Sequence, residues 1–186
     1  VLADFDQDGN LDLAISCVYD GRPTDFYWGK GDGTFKLDSY HAGITVDNGW
    51  GMAASDLDND GDQDLAAKGK LFRNTIAQAK SGHWLQLRVV GGKQSNRSAI
   101  GATVRVQVGA KTILRHVDGG SGQGCQGSSY LHVGLGQATS VDAIEVLFPV
   151  GKVGKKVTYK GPFSGDQRLW LLEDGDVHKG WAPPAP

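Results

Sequence analysis

Ala3-Asp4-Phe5-Asp6-Gln7-Asp8-Gly9-Asn10-Leu11-Asp12-Leu13-Ala14 aligns, 52 residues on, with Ser55-Asp56-Leu57-Asp58-Asn59-Asp60-Gly61-Asp62-Gln63-Asp64-Leu65-Ala66. Both stretches read D-x-D-x-D-G-x-x-D-L-A. Four carboxylates within nine residues repel one another unless a hard cation lies between them, and calcium takes six to eight oxygens at about 2.3–2.6 Å. Alternation turns the first three Asp inward, Gly allows the sharp turn that follows, and a backbone carbonyl plus the last Asp complete the shell. The expected ligands are Asp4, Asp6, Asp8, the Asn10 carbonyl and Asp12, then Asp56, Asp58, Asp60, the Asp62 carbonyl and Asp64. Two calcium sites follow. A single such loop also reads as a solvated acidic turn; two copies in register argue against that. An EF-hand needs a Glu at loop position 12 and flanking helices, yet that position holds Ile15 and Ala67. Beyond the first loop, Leu11, Leu13, Ile15, Cys17 and Tyr19 alternate with smaller or polar residues, the period of a half-buried strand.

Composition agrees with strands and turns. The 21 acidic residues include only Glu145 and Glu173, and helices favour Glu, whereas turns and metal loops favour Asp. Gly at 28 of 186 residues is about twice the usual share. No apolar run approaches the roughly 18 residues of a helical membrane span, and the aromatic content is too high for a disordered segment. The net charge of -2 argues against nucleic-acid binding by phosphate neutralisation. A soluble, globular protein is expected. Charge is unevenly spread: residues 1–80 carry 14 Asp against seven Lys and Arg, whereas 81–186 carry seven acids against twelve bases. That sign change suggests two modules, the acidic one needing cations. Cys17 and Cys125 are the only cysteines, too few for a disulfide scaffold, and either pair or stay free.

Strand, D-x-D-x-D-G-x-x-D, strand, and then Gly31-Asp32-Gly33-Thr34-Phe35 resembles the FG-GAP or VCBS repeats of integrin-type β-propellers. The resemblance implies about one four-stranded blade per repeat, with calcium clipping the loop between strands. It carries over to the eight Asp above and to Gly9 and Gly61, and implies a structural role for Asp32. The period of about 50 residues suits a propeller. A propeller needs four or more blades to close, and residues 1–80 hold fewer than two. The chain also opens inside a repeat, with no Met and no signal peptide. The expectation is a fragment of a longer propeller, or blades completed by the second half or by another chain. Unpaired edges would then favour homo-oligomers or strand exchange.

In the second half, strands are expected at Trp84 to Val90, Thr103 to Val108, Thr112 to Val117, Ser129 to Leu135, Ala143 to Phe148 and Leu169 to Leu172, with no helix. Such spacing fits a β-sandwich or small β-barrel. Asn74-Thr75, His83-Trp84-Leu85, Ser95-Asn96-Arg97, Ile100 to Val104, Gly119 to Gly122, Leu131 to Gly136 and Val146 to Gly151 together resemble an ASPIC and UnbV domain over about residues 74–174. In that family the domain follows FG-GAP repeats, the CRTAC homology arrangement of cartilage acidic protein and secreted bacterial proteins. The resemblance implies no enzymatic activity.

Other motifs have plainer readings. Gly122-Gln123-Gly124-Cys125-Gln126-Gly127 satisfies G-x-G-x-x-G, but a strand-like segment follows it instead of the helix a dinucleotide site needs. Cys125 and His132 read as structural. No G-x-S-x-G, H-E-x-x-H or C-x-x-C occurs. Lys152, Lys155, Lys156 and Lys160 read as a solvated strand edge. The expected all-β organisation is therefore partial propeller blades with calcium loops over 1–80, a sandwich or barrel over 81–175, and a Pro-rich tail over 176–186. The expected function is a non-catalytic, calcium-binding extracellular recognition or adhesion module, secreted or on the cell surface, meeting a protein or glycan ligand. The alternative is a carbohydrate-binding accessory region of a secreted polysaccharide-degrading enzyme, with Trp28, Trp50 or Trp181 stacking on sugar rings.

Overall fold

The structure, a computed structural model, describes residues 1–76, 82–120, 122 and 124–182. The fold is almost entirely β, in several sheets, none closed into a barrel. The chain divides into two compact units, Val1–Ser81 with Gly120–Ser128, and Gly82–Gly119 with Ser129–Pro186.

The first unit contains two blades. The first blade is a four-stranded antiparallel sheet of β1 (Leu2–Ala3), β2 (Asp12–Ile15), β3 (Asp25–Gly29) and β4 (Phe35–Leu37), in that order. One helical turn, α1 (Ser39–Ala42), follows, and Gly43 ends it in the left-handed region. The second blade has three strands, β5 (Met52–Ser55), β6 (Asp64–Ala67) and β7 (Lys70–Phe72). Lys68 and Gly69, both at positive φ, make the tight turn from β6 to β7. At the other edge the Ser128 amide donates to the Ala54 carbonyl, so part of the Gly120–Ser128 segment lies beside β5.

Strand β2 reverses the expected facing. Asp12 and Ala14 are buried, whereas Leu13 is half-buried and Ile15 is exposed. The cause is Asp12: its carboxylate accepts the amides of Phe5 and Gly29, which turns it inward. Strand parity then sends Leu13 and Ile15 to the opposite face. There Leu13 joins a row across all four strands, Leu2, Leu13, Tyr27 and Leu37. The unit's core is Ala3, Phe5, Ala14, Phe26, Val46, Met52, Ala54, Leu65 and Ala67.

The second unit is a sandwich of two four-stranded sheets. One runs β10 (Lys111–His116), β9 (Thr103–Val108), β12 (Ser140–Phe148), β13 (Lys155–Ser164); the other runs β11 (Leu131–Gly136), β8 (His83–Val90), β14 (Gln167–Leu172), β15 (Val177–Lys179). Among the described residues, only β8 and β14 pair in parallel. Alternate residues of both sheets, among them Leu85, Leu87, Val104, Val106, Ile144, Val146, Phe148, Leu169 and Leu171, form one core. Two strands were not foreseen. Strand β13 carries Lys155, Lys156 and Lys160 on a sheet edge, where Pro162 is also tolerated. Strand β15 falls inside the stretch expected as a tail, and pairs with β14.

Candidate metal centres

The two Asp loops repeat in backbone as well as in sequence. Gln7 and Asn59 occupy equivalent positions at φ 60° and 65°, and Gly9 and Gly61 follow at 89° and 96°. Four pairs of equivalent hydrogen bonds then tie each loop. Gly9 donates to Asp4 Oδ2 at 3.0 Å, as Gly61 does to Asp56 Oδ2 at 3.2 Å. Asn10 donates to Asp8 Oδ1 at 2.7 Å, as Asp62 does to Asp60 Oδ1 at 3.2 Å. The Phe5 and Leu57 amides each lie 2.9 Å from Asp12 Oδ2 and Asp64 Oδ2. The last pair closes each loop on its blade, Gly29 to Asp12 Oδ1 at 2.9 Å and Asn74 to Asp64 Oδ1 at 2.7 Å. Gly29 is needed there, because a Cβ would come 2.1 Å from the Leu11 carbonyl oxygen.

This arrangement concentrates oxygens. Carboxylate oxygens of Asp4, Asp6 and Asp8 lie within 4.8 Å of one another, as do those of Asp56, Asp58 and Asp64. Asp12 and Asp60 stand outside these triads. Burial, opposed by its two backbone hydrogen bonds and joined by the charges of Asp6 and Asp4, pushes the Asp12 carboxyl up to about 7. Asp62 is buried at 1% exposure, and among the described residues no backbone amide or basic side chain donates to either of its carboxyl oxygens. Burial, a proton shared with Asp60, and the charges of Asp60, Asp64 and Asp56 push it up to about 8. A buried carboxylate facing other carboxylates is costly unless a proton or a cation joins it. An all-oxygen, acidic donor set of this kind suits a hard cation such as calcium.

Three neighbours of the loops escaped the sequence reading. Gln7 Nε2 donates to the Gly61 carbonyl, linking one loop to the other. Asn74 Nδ2 donates to the carbonyls of Phe5 and Gln63, at 2.7 and 3.1 Å. Arg73 places Nε 2.6 Å from Asp58 Oδ2 and a terminal nitrogen 3.3 Å from Asp60 Oδ2. The 52-residue offset hides the last two. The first blade joins β2 to β3 through residues 16–24, whereas the second uses only Lys68 and Gly69, so Asn74 answers to Gly29 and not to residue 22.

Two family models match the chain: FG-GAP-like repeat over residues 4–67, and ASPIC and UnbV over residues 92–176. Their order, an FG-GAP-like repeat followed by an ASPIC and UnbV domain, is the one the sequence resemblance implied. Comparison with curated proteins finds no match. FG-GAP and ASPIC/UnbV domains are generally non-catalytic, and their pairing suggests a recognition or adhesion-type module. The FG-GAP match spans both Asp loops and ends at Ala67, so Arg73 and Asn74 lie beyond it. Asp32 takes the structural role the resemblance implied, its Oδ1 accepting from the Thr34 amide and hydroxyl. Within the ASPIC and UnbV domain, the strand β11 follows the G-x-G-x-x-G segment, of which Gln123 lies outside the described residues. Cys17 and Cys125 are free thiols. Of the tryptophans considered for sugar stacking, Trp28 packs edge-on against Phe26 with its indole N–H on Asp38, and Trp181 stacks on Arg168. Trp50 is exposed.

Proposed function

We propose that this chain is a non-catalytic, extracellular recognition or adhesion module whose FG-GAP-like unit is stabilised by two calcium ions. Asp4, Asp6, Asp8, Asp12 and the Asn10 carbonyl hold one ion; Asp56, Asp58, Asp60, Asp64 and the Asp62 carbonyl hold the other. Bound calcium supplies positive charge that lets the clustered carboxylates stay ionised, and so contributes folding free energy. The observation that carries the reading is the gathering of three carboxylates within 4.8 Å of one another in each of two loops of matching backbone geometry. Extracellular modules meet millimolar calcium, which suits sites of modest affinity. The ligand of such a module is a surface protein or a glycan.

The test is thermal unfolding with calcium and with excess chelator. Two sites near saturation contribute about 5 kcal/mol, so chelation should lower the melting temperature of the first unit by roughly 20 °C. A variant combining Asp6→Ala and Asp58→Ala should melt at the low temperature under both conditions. Equal melting of the parent chain with and without chelator would overturn the calcium assignment.

A further inference from the structure

We propose that Arg73 is a tethered counter-cation of the second loop, which weakens that loop's hold on a divalent ion and keeps its carboxylates together when the ion is scarce. The inference rests on the calcium reading above. Arg73 directly follows β7 and precedes Asn74, whose amide is fixed on Asp64 Oδ1 and whose side chain is fixed on the Phe5 and Gln63 carbonyls. The backbone beside Arg73 is therefore anchored to the loop itself. From there the guanidinium spans Asp58 and Asp60, two of the assigned ligands.

Physical chemistry sets the consequence. The guanidinium stays charged at any pH the protein meets, and its planar fork matches carboxylate oxygens. It satisfies oxygens that a metal ion would otherwise claim, and its charge repels a divalent ion held a few ångströms away. The Arg73 side chain is 63% exposed, so it can withdraw into water without disturbing the core when an ion enters. The same exposure makes the pair cheap to break, so Arg73 tunes the site and does not close it.

The experiment measures calcium binding by titration calorimetry in an Asp6→Ala background, which leaves the second loop to report alone. Arg73→Gln should bind calcium roughly tenfold more tightly than its parent, the size expected for removing one positive charge near a divalent ion. Arg73→Lys, which keeps the charge without the fork, should stay within about threefold of the parent. Without calcium the order reverses: the Arg73→Gln protein should lose more melting temperature on chelation than its parent does. Arg73→Met serves the same comparison if Arg73→Gln does not fold. Unchanged or weaker calcium binding on loss of the guanidinium would overturn the proposal while leaving the calcium assignment intact. Absence of calcium uptake by parent and variant alike would overturn both.

Discussion

A buried carboxylate in each unit meets opposite surroundings. In the sandwich, Glu173 is 3% exposed and accepts from the Gly92 amide, the Ser95 amide and the Ser95 hydroxyl, with Lys155 alongside. In the repeat unit, Asp62 is as deeply buried but has no amide or basic donor among the described residues, and it faces the charges of Asp60, Asp64 and Asp56. The cores differ in the same sense. Among the described residues, nineteen buried apolar residues fill the sandwich, against nine in the two blades, where Asp4, Asp12, Asp56, Asp62 and Asp64 are buried as well. Apolar burial at about 25 cal/mol per Å² stabilises the sandwich from within. The blades bury less apolar surface and more charge, so their stability depends on what neutralises that charge. On the proposed calcium reading, the stability of the first unit varies with the cations in solution, whereas that of the sandwich does not.

The largest effect that would break this contrast is a cavity in the sandwich. Phe148 is the largest fully buried side chain, seated on β12 inside the core. Phe148→Ala should destabilise the second unit by about 3–5 kcal/mol. Hydrogen exchange should speed up in β8, β12 and β14 and leave calcium binding by the Asp loops unchanged. Loss of calcium binding in this variant would show that the two units do not stand apart energetically.

A middle-sized effect sharpens the contrast inside the repeat unit. Asn74→Ala strips the Phe5 and Gln63 carbonyls of their donor and the Ile76 amide of its acceptor. Buried groups left unpaired cost about 1–3 kcal/mol in all, since the remaining structure partly relaxes. Because the Asn74 amide also holds Asp64, the loss should weaken calcium binding in the second loop as well as stability. Denaturant unfolding and calcium titration of the same variant check both. A stability loss with unchanged calcium affinity would confine Asn74 to a scaffold role.

How much of this was legible follows from where the signal lies in the chain. The D-x-D-x-D-G loops are local: every residue that shapes the turn is within nine positions, so their repetition and the strand after each could be read directly. Alternation in Trp84 to Val90 and Thr103 to Val108 is equally local, and β8 and β9 match those bounds within a residue. Facing was not local. Leu13 and Ile15 read as the inner face of β2, but the amides that turn Asp12 inward come from Phe5 and Gly29, one of them 17 residues away. Strand β13 was hidden by its lysines and Pro162, which belong to an edge and mimic a loop in sequence. Arg73 and Asn74 were hidden because the two blades join their strands through connections of different length. The family resemblance supplied the architecture in both halves, and the loop chemistry supplied the metal expectation without it.

The smallest effect concerns acid. Burial alone would raise the Glu173 carboxyl, but the hydrogen bonds from the Ser95 hydroxyl, the Gly92 and Ser95 amides and Lys155 outweigh it and bring it down to about 2. A carboxylate whose folded pKa lies below its unfolded value stabilises the fold fully above the unfolded value. That contribution is then lost as pH falls from about 4.5 toward about 2. The sandwich should therefore lose stability across this window as Glu173 takes up its proton. Glu173→Gln removes the titration and keeps the shape, at a cost of about 1–2 kcal/mol at neutral pH for the lost charge-assisted bonds. The difference in unfolding free energy between parent and variant should shrink on acidification and vanish only below the folded-state value of about 2. A difference that stays constant with pH would mean that Glu173 acts by packing alone, without help from its charge.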